Sequence, residues 1–553
     1  MKLLLTSVFG PYAVDDEFGR KENKMELFHN QITREQGIFS YRFNHSSFGL
    51  YFMAENLSTP TTVLDFPTLK RFITEIKKGY THVGISFIVP NMKKAAEMTR
   101  LVRLHAPDTK IILGGHGTAY EKLHEVMEYD HVCMGEGLSF LRKLFNEPED
   151  RKIIHPLVYS AHNRSLMGVP LPKEAGVLIP GVGCPNKCRF CATSHYFGNY
   201  IPFLETGRDI FEVCLRYEKE MGVTDFGVLD ENFLKQKDRM LELLALIEKH
   251  EKHYTFSIFS SAETLWDLED FDILTRLGVG VIWIGVESKY EIYEKNEKAD
   301  FKTLFMELQK RGISVLASAI MFLEHHDKNT IWEDVDFAIN LRPEYLQFME
   351  LGPLPGTPLY NSYKSQGMLL EDVPMEDRHG QSKIWFRHPN FTRDESEQYL
   401  KNAFERDYQV NGASFLRYIQ TALKGYEYGI RHENSWIRRR AEKSGEFVSQ
   451  MRPFLFAANF FSKNEATKSL VRDVKGRFKR LMTEKPLKNA LLSSVIFALA
   501  VKGTIFEKFG WSNPQPTCVC IDFNKENIIA ISDPANCTTD CTESESSLAS
   551  SAT

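Results

Sequence analysis

The sequence predicts an α/β protein: two successive regions of alternating short apolar strands and amphipathic helices, followed by a mostly helical carboxyl-terminal region. Three observations carry this expectation. Residues 1–150 alternate apolar runs of strand length with segments whose apolar residues recur at three and four; residues 165–400 repeat a strand–helix unit six times; beyond 400, basic helical segments replace the strands. At 553 residues the chain is too long for one core, and the expected divisions are 1–150, 165–400, 401–537 and a tail at 538–553.

In the first region strands are expected at 2–8, 62–64, 82–89, 110–113 and 131–134, with helices such as 69–78 and 92–104 between them. This is the signature of a doubly wound parallel sheet, Rossmann-like or flavodoxin-like, and such sheets bind ligands outside the carboxyl ends of their strands. Those ends carry Ser86, the loop Gly114-Gly115-His116-Gly117-Thr118, and Gly135-Glu136-Gly137. Glycines there let a backbone approach a bulky ligand closely.

Composition limits the function classes. The chain is 43% hydrophobic and 25% charged, ordinary for a soluble globular protein, and its net charge of −5 gives no reason to expect a nucleic-acid partner. The apolar run of Met1-Lys-Leu-Leu-Leu, ahead of Pro11 and Asp15-Asp16, is too short for a signal-peptide core or a membrane span, so a cytosolic protein is expected. In that compartment the nine cysteines are expected to be ligands or buried thiols, not disulfides.

The second region opens on Gly181-Val-Gly-Cys184-Pro-Asn-Lys-Cys188-Arg-Phe190-Cys191, directly after the apolar run Gly176-Val-Leu-Ile-Pro. Three thiolates on one loop can hold three irons of a cubane and leave the fourth iron without a protein ligand. A zinc loop lacking its fourth ligand is the other reading. The spacing Cys-x3-Cys-x2-Cys, with an aromatic before the last cysteine, resembles the cluster motif of the radical S-adenosylmethionine (SAM) superfamily. The resemblance implies a [4Fe-4S] cluster on Cys184, Cys188 and Cys191, with SAM chelated at the open iron by its amino and carboxylate groups and Phe190 beside the adenine. It also implies reductive cleavage of SAM to methionine and a 5'-deoxyadenosyl radical, with an external electron donor of the flavodoxin or ferredoxin type.

With that motif downstream, the order "VGIS", "IILGGHG", "MGEG" resembles the amino-terminal cobalamin-binding domain of cobalamin-dependent radical SAM enzymes. The Asp-x-His-x-x-Gly motif that supplies an axial histidine in other cobalamin proteins is absent, the first loop reading Gly10-Pro-Tyr-Ala-Val-Asp-Asp-Glu-Phe. His116 is therefore expected to be a wall residue. A Rossmann-like sheet that binds nothing is the bland alternative.

Further strands are expected at 225–229, 254–259, 279–285, 314–321 and 345–349. Six units are too few for a closed eightfold barrel and fit the partial (β/α)6 barrel that the resemblance implies, with the site at the strands' carboxyl ends. Those ends carry Asp230-Glu231-Asn232-Phe233, Ser260-Ser261-Ala-Glu263 and Gly285-Val286-Glu287-Ser288. By the resemblance, Asp230 and Glu231 lie at the segment that receives the SAM amino group, and Glu287 and Ser288 match the family's GxES strand end; helix capping is the structural alternative for any of them. The run Pro355-Gly356-Thr357-Pro358 resembles the strand-end turn of the cobalamin-dependent and thiomethylating branches. The fifth strand runs into Glu324-His325-His326 and lacks the glycine pair of those relatives; its histidines are expected to be solvated. No acid or base for the reaction is singled out.

Beyond 400, Arg438-Arg439-Arg440 and Arg472, Lys475, Arg477, Lys479 and Arg480 are expected on solvated helix faces. Residues 490–501 form an apolar run too short to span a bilayer, expected as a core helix, with an interfacial helix reaching a lipid substrate as the alternative. Cys518, Cys520, Cys537 and Cys541 match no established metal spacing, a second zinc or cluster site on the four being the alternative, and the Ser/Thr/Glu-rich tail is expected to be disordered. The function so implied is cobalamin-dependent radical SAM methylation of an unactivated carbon in a small-molecule or lipid substrate, with membrane contact at most peripheral. Radical chemistry without methyl transfer, as in cyclase relatives, and a non-catalytic iron–sulfur protein are the alternatives.

Overall fold

The computed structural model describes residues 1–12, 14, 16–19, 26–172, 175–268, 270–290, 293–296, 299–483, 486–509 and 515–523. The first region is built from β1 (Leu3–Ser7), β2 (Tyr41–Asn44), helix α1 (Phe48–Asn56), β3 (Thr61–Asp65), β4 (His82–Ser86), β5 (Lys110–Gly114) and β6 (His131–Val132). Strands β3, β1, β4, β5 and β6 lie side by side in that order, all parallel. Every residue of β1 and β3 is buried, which is why these strands are written as unbroken apolar and threonine runs: helices cover both faces. The third expected strand stops at Ser86, not residue 89, because the chain turns into a short helix at Val89–Asn91 whose Pro90 has no N–H to give a ladder.

A small antiparallel sheet that the sequence did not announce joins β2 to β7 (His162–Leu166) and β8 (Val169–Pro170). The second large sheet contains β9 (Ala175–Leu178), β12 (Asp225–Val228), β13 (Thr255–Phe259), β14 (Val279–Glu287), β15 (Ser314–Met321) and β16 (Tyr345–Glu350). They pair in sequence order, all parallel, as an open six-stranded half-barrel. Between β9 and β12 run the two-residue strands β10 (Gly181–Val182) and β11 (Ile201–Pro202), paired antiparallel, with helix α2 (Ala192–Phe197) between them. Helix α3 (Pro358–Ser365) follows β16, its Thr357 hydroxyl capping the Tyr360 amide and Pro358 occupying the first turn.

The carboxyl-terminal region is helical. It includes α4 (Phe454–Phe461), α5 (Glu465–Leu481) and α6 (Pro486–Lys508), and has its own core around Leu416, Ile419, Val471, Val474 and Phe478. The apolar run at 490–501 is part of α6, which has 23 residues, and only 11% of its most apolar 18-residue window is buried. This corrects the expectation of a short core helix: Lys488 and Lys502 interrupt the apolar run without ending the helix. The chain then returns to the first sheet, where β17 (Val519–Phe523) pairs antiparallel with β3.

Candidate functional site

The carboxyl ends of both large sheets open into one cavity of about 740 Å³. The first sheet contributes Ser86, Gly114, Gly115, His116, Gly135, Glu136 and Gly137; α1 and the residues before it contribute Ser47, Phe48, Gly49 and Met53. The half-barrel contributes Leu229, Asp230, Glu231 and Phe259, and the segment after the cysteine loop contributes Thr193, Tyr196 and Phe197. Residues expected to contact two different ligands thus share one space, of the size in which proteins enclose cofactors.

The glycines at this edge have different reasons to be glycine. At Gly114 and Gly49 a Cβ would meet no described atom within 4 Å, so their backbones open onto the cavity. At Gly115, φ is +85° and a Cβ would lie 2.5 Å from the Phe87 carbonyl; at Gly117 it would lie 2.4 Å from the Phe87 ring. Gly137 faces Met53 Sδ at 2.5 Å, and Gly135, with φ +85°, faces the Tyr196 carbonyl at 3.4 Å. Gly117 does not line the cavity, and Phe87 accounts for it. His116 stacks on Tyr196 with ring centroids 4.5 Å apart and meets Phe197 edge-on at 5.8 Å. Its Nε2 is buried without a hydrogen-bond partner among the described residues, and burial lowers its pKa, keeping the ring neutral.

The cysteine loop is shaped by its backbone. Gly183 has φ +85°, and a Cβ there would lie 2.2 Å from the Asn199 carbonyl; Lys187 also takes a positive φ, +48°. The β10–β11 ladder closes the loop's base, and the Cys191 amide donates to the Cys188 carbonyl at 2.9 Å as α2 begins. From the far side the Leu359 amide of α3 donates to the Arg189 carbonyl at 3.1 Å. Burial raises the thiols of Cys184 and Cys188 above their ordinary range. Among the described residues, the one group of potential ligand atoms lying within 4.8 Å of each other is that of His325, His326 and Asp334, so the three thiols are spread more widely. Tetrahedral zinc at about 2.3 Å from each sulfur would need them about 3.8 Å apart. As placed, the three thiols do not form that triangle.

Lys295, which the sequence reading missed, stands beside this loop. Its ammonium pairs with Glu287. Burial works against the charge, but Glu287 and the neighbouring Cys188 and Cys191 more than offset it and hold the ammonium above its ordinary range. Glu287 is itself buried and takes φ +62° at the strand's end, just past a register shift between Gly285 and Glu287. Phe190 packs edge-on against Tyr293 at 5.0 Å.

The two carboxylates at the end of β12 are dissimilar. Asp230 and its partner Arg239 are 2% and 3% exposed, joined at 2.7 Å, and the Tyr200 hydroxyl donates to the same Asp230 oxygen at 2.7 Å. Glu231 faces the cavity, and the recess desolvates it enough to raise its carboxyl to about 7. Ser261 caps the following helix, accepting from the Thr264 amide, and Glu263 pairs with Lys235 at 3.6 Å. Ser288 turns inward and donates to Asp334 at 2.7 Å. His326 is fully buried, contrary to the expected solvated loop: its Nε2 bonds Asp334 at 2.8 Å and its Nδ1 accepts the Leu323 amide. Ser288, Asp334 and His326 thus form a structural network, and only His325 of the histidine pair is solvent-facing.

Cys518 and Cys520 lie at and within β17, packed against the first sheet's core, while Cys537 and Cys541 fall outside the described residues.

Residues 178–338 match the Radical SAM superfamily, so this part of the chain is a radical SAM domain. The bacteriochlorophyllide d C-8(2)-methyltransferase of Chlorobaculum tepidum is 27% identical over 326 residues, which are 53% of this chain and 70% of that protein. The C-12(1)-methyltransferase of the same organism is 25% identical over 208 residues, 36% of this chain and 45% of that protein. In fold, the chain is similar to the radical SAM methyltransferase TsrM from Kitasatospora setae, solved with cobalamin and a [4Fe-4S] cluster, with a TM-score of 0.51, 14% identity and coverage of 81% of this chain and 99% of that one.

Proposed function

We propose that this radical SAM enzyme is a cobalamin-dependent methyltransferase acting on an unactivated carbon of a small-molecule or lipid substrate. The observation that carries this reading is the single cavity joining Gly114 at the edge of the first sheet and Gly49 on α1 to Glu231 and the wall beside the cysteine loop.

Cys184, Cys188 and Cys191 would hold a [4Fe-4S] cluster, Glu231 and Phe190 would meet SAM, and the edge formed by Ser86, Gly114, Gly115, Gly135 and Gly137 would take cobalamin. When bound, these groups would supply a hydrogen-abstracting radical, formed from SAM with an electron from an external flavodoxin- or ferredoxin-type donor, and a transferable methyl group that SAM replenishes. The chain's own residues position and insulate. Lys295 places a positive charge beside Cys188, where it opposes the burial that disfavours the thiolate. Asp230 is occupied by Arg239 and Tyr200, which leaves Glu231 as the carboxylate at that strand end able to accept from a ligand's amino group. Leu229, Phe203, Phe259 and Val182 line the same cavity with apolar surface and exclude water from it.

Anaerobic reconstitution with iron, sulfide and hydroxocobalamin tests the reading. The protein should hold about four irons per chain, form 5'-deoxyadenosine from SAM under reduction, and retain cobalamin through gel filtration. Changing all three cysteines to Ala should abolish the iron and the 5'-deoxyadenosine; product persisting in that variant overturns the cluster assignment. A cluster-loaded protein that retains no cobalamin overturns the methyl-transfer reading in favour of other radical chemistry.

A further inference from the structure

Of its 23 residues, α6 buries Ile496 and Ala500. Gly503 continues that stripe, a Cβ there meeting the Gly168 Cα at 3.2 Å and Ile38 at 3.3 Å. Spaced by four and then three, these residues form one face, and with it the helix is fastened to the body. Its other faces carry Leu487 at 88% exposure, Leu491 at 69% and Val495 at 50%. Beside it, α4 contains no charged residue and exposes Phe456 and Phe460, whose rings lie 5.5 and 4.9 Å from that of Phe497 on α6. An exposed helix in water carries polar residues outward; here the outward faces of two adjacent helices are apolar.

The surroundings of this patch say what covers it. α5, packed against α4, carries six basic and two acidic residues, and Arg472, Lys475, Lys479 and Arg480 are exposed. Lys488, Lys502 and Lys508 add charge along α6. A second copy of the chain would bring two basic fringes together, whereas an anionic lipid surface complements both the apolar centre and the positive margin. At about 1.5 Å per residue α6 is about 35 Å long, enough to cross a bilayer. Its attachment at Ile496, Ala500 and Gly503, and the Ser493 hydroxyl's bond to the Pro453 carbonyl at 3.0 Å, hold it flat against the protein instead.

We infer that α4, α5 and α6 form a docking surface for an anionic lipid bilayer, with α6 lying in the headgroup plane. This goes beyond the proposed reaction and stands without it. The foothold of α6 at Ile38 leads through β2 to Ser47 and Gly49 on the cavity wall, so one short segment joins the docking surface to the site.

The test is vesicle flotation of the full chain with phosphatidylcholine alone and with phosphatidylglycerol added, at low and high salt. Binding to the anionic vesicles should exceed that to the neutral ones about tenfold and weaken with salt. The double variant Leu487→Asp, Leu491→Asp should float with neither while keeping the wild-type melting curve, because both side chains face solvent. The quadruple variant Arg472→Gln, Lys475→Gln, Lys479→Gln, Arg480→Gln should lose the anionic preference. Wild-type protein that stays off both vesicles overturns the inference, whatever the variants do. So does a concentration-dependent dimer, seen by light scattering, that the double variant abolishes.

Discussion

Glu231 offers a measurement in which its titration should be visible in ligand affinity. Its carboxyl is raised to about 7 by desolvation in the cavity wall, so it is mostly neutral at pH 6 and mostly ionised at pH 8. Glu231→Gln keeps the shape and is neutral at every pH. If the carboxylate accepts from the amino group of SAM, the charge-assisted bond contributes about 1.5 to 3 kcal/mol. Because the Glu231 side chain is exposed at the cavity mouth, the lower end applies, about tenfold in Kd. The ionised fraction rises from about one-tenth at pH 6 to about nine-tenths at pH 8. The Kd of the variant divided by that of the wild type should therefore be about fivefold larger at pH 8 than at pH 6, since the neutral carboxyl binds as the amide does. The assay is equilibrium binding of SAM to cluster-loaded protein under nitrogen without reductant, and taking the ratio cancels the titration of SAM itself. A ratio flat with pH, with iron content unchanged, would refute the assignment of Glu231 to the ligand.

Four further outcomes are expected. Gly114→Leu, placed where a side chain enters the cavity, should weaken cobalamin retention with little change in melting temperature. Gly117→Ala should do the reverse, since its methyl would press on the Phe87 ring at 2.4 Å and overpacking costs about 1 to 3 kcal/mol; equal effects on cobalamin retention would undo the distinction. His116→Phe, which preserves the stack on Tyr196, should leave bound cobalamin with the absorption spectrum of a form without histidine coordination, and a spectral change would make His116 a ligand. Glu350 is buried with both carboxyl oxygens unpartnered among the described residues, and burial pushes its pKa from 4.5 to about 8. A raised acid favours the folded state fully below its unfolded pKa and loses that contribution as pH climbs to the folded one. Glu350→Gln should therefore gain on the wild type by about 1 kcal/mol per pH unit between about pH 5 and 8 in urea denaturation; parallel stability curves would show that Glu350 is not the titrating group.

The parallel strands were legible because burial on both faces leaves them as apolar runs, and the six half-barrel strands were found to within a few residues. Strands β8, β10 and β11, each of two residues, carry no period to detect. β17 pairs with a partner more than 450 residues away, and nothing local distinguishes Cys520 in a strand edge from Cys520 in a metal loop. The glycine loop was legible as a place of close approach but not as to what approaches: Gly114 meets the cavity while Gly117 meets Phe87. His326 was misread for a related reason, since its partner Asp334 comes from the next helix. Lys295 was invisible because only the fold of the segment after β14 returns it to Glu287.

The turn leading into α3 touches both halves of the cavity. The Leu359 amide holds the Arg189 carbonyl in the cysteine loop, while Tyr360 and Lys364 bond to Glu121, a few residues beyond the glycine edge of the first sheet. Gly356 sits against Ala119, a Cβ there lying 3.1 Å from its neighbour. The cysteine loop and the far wall thus share one corner, and whatever influence iron loading has on the hold on the corrin through it, thermodynamic linkage requires corrin loading to exert on the hold on iron by the same factor.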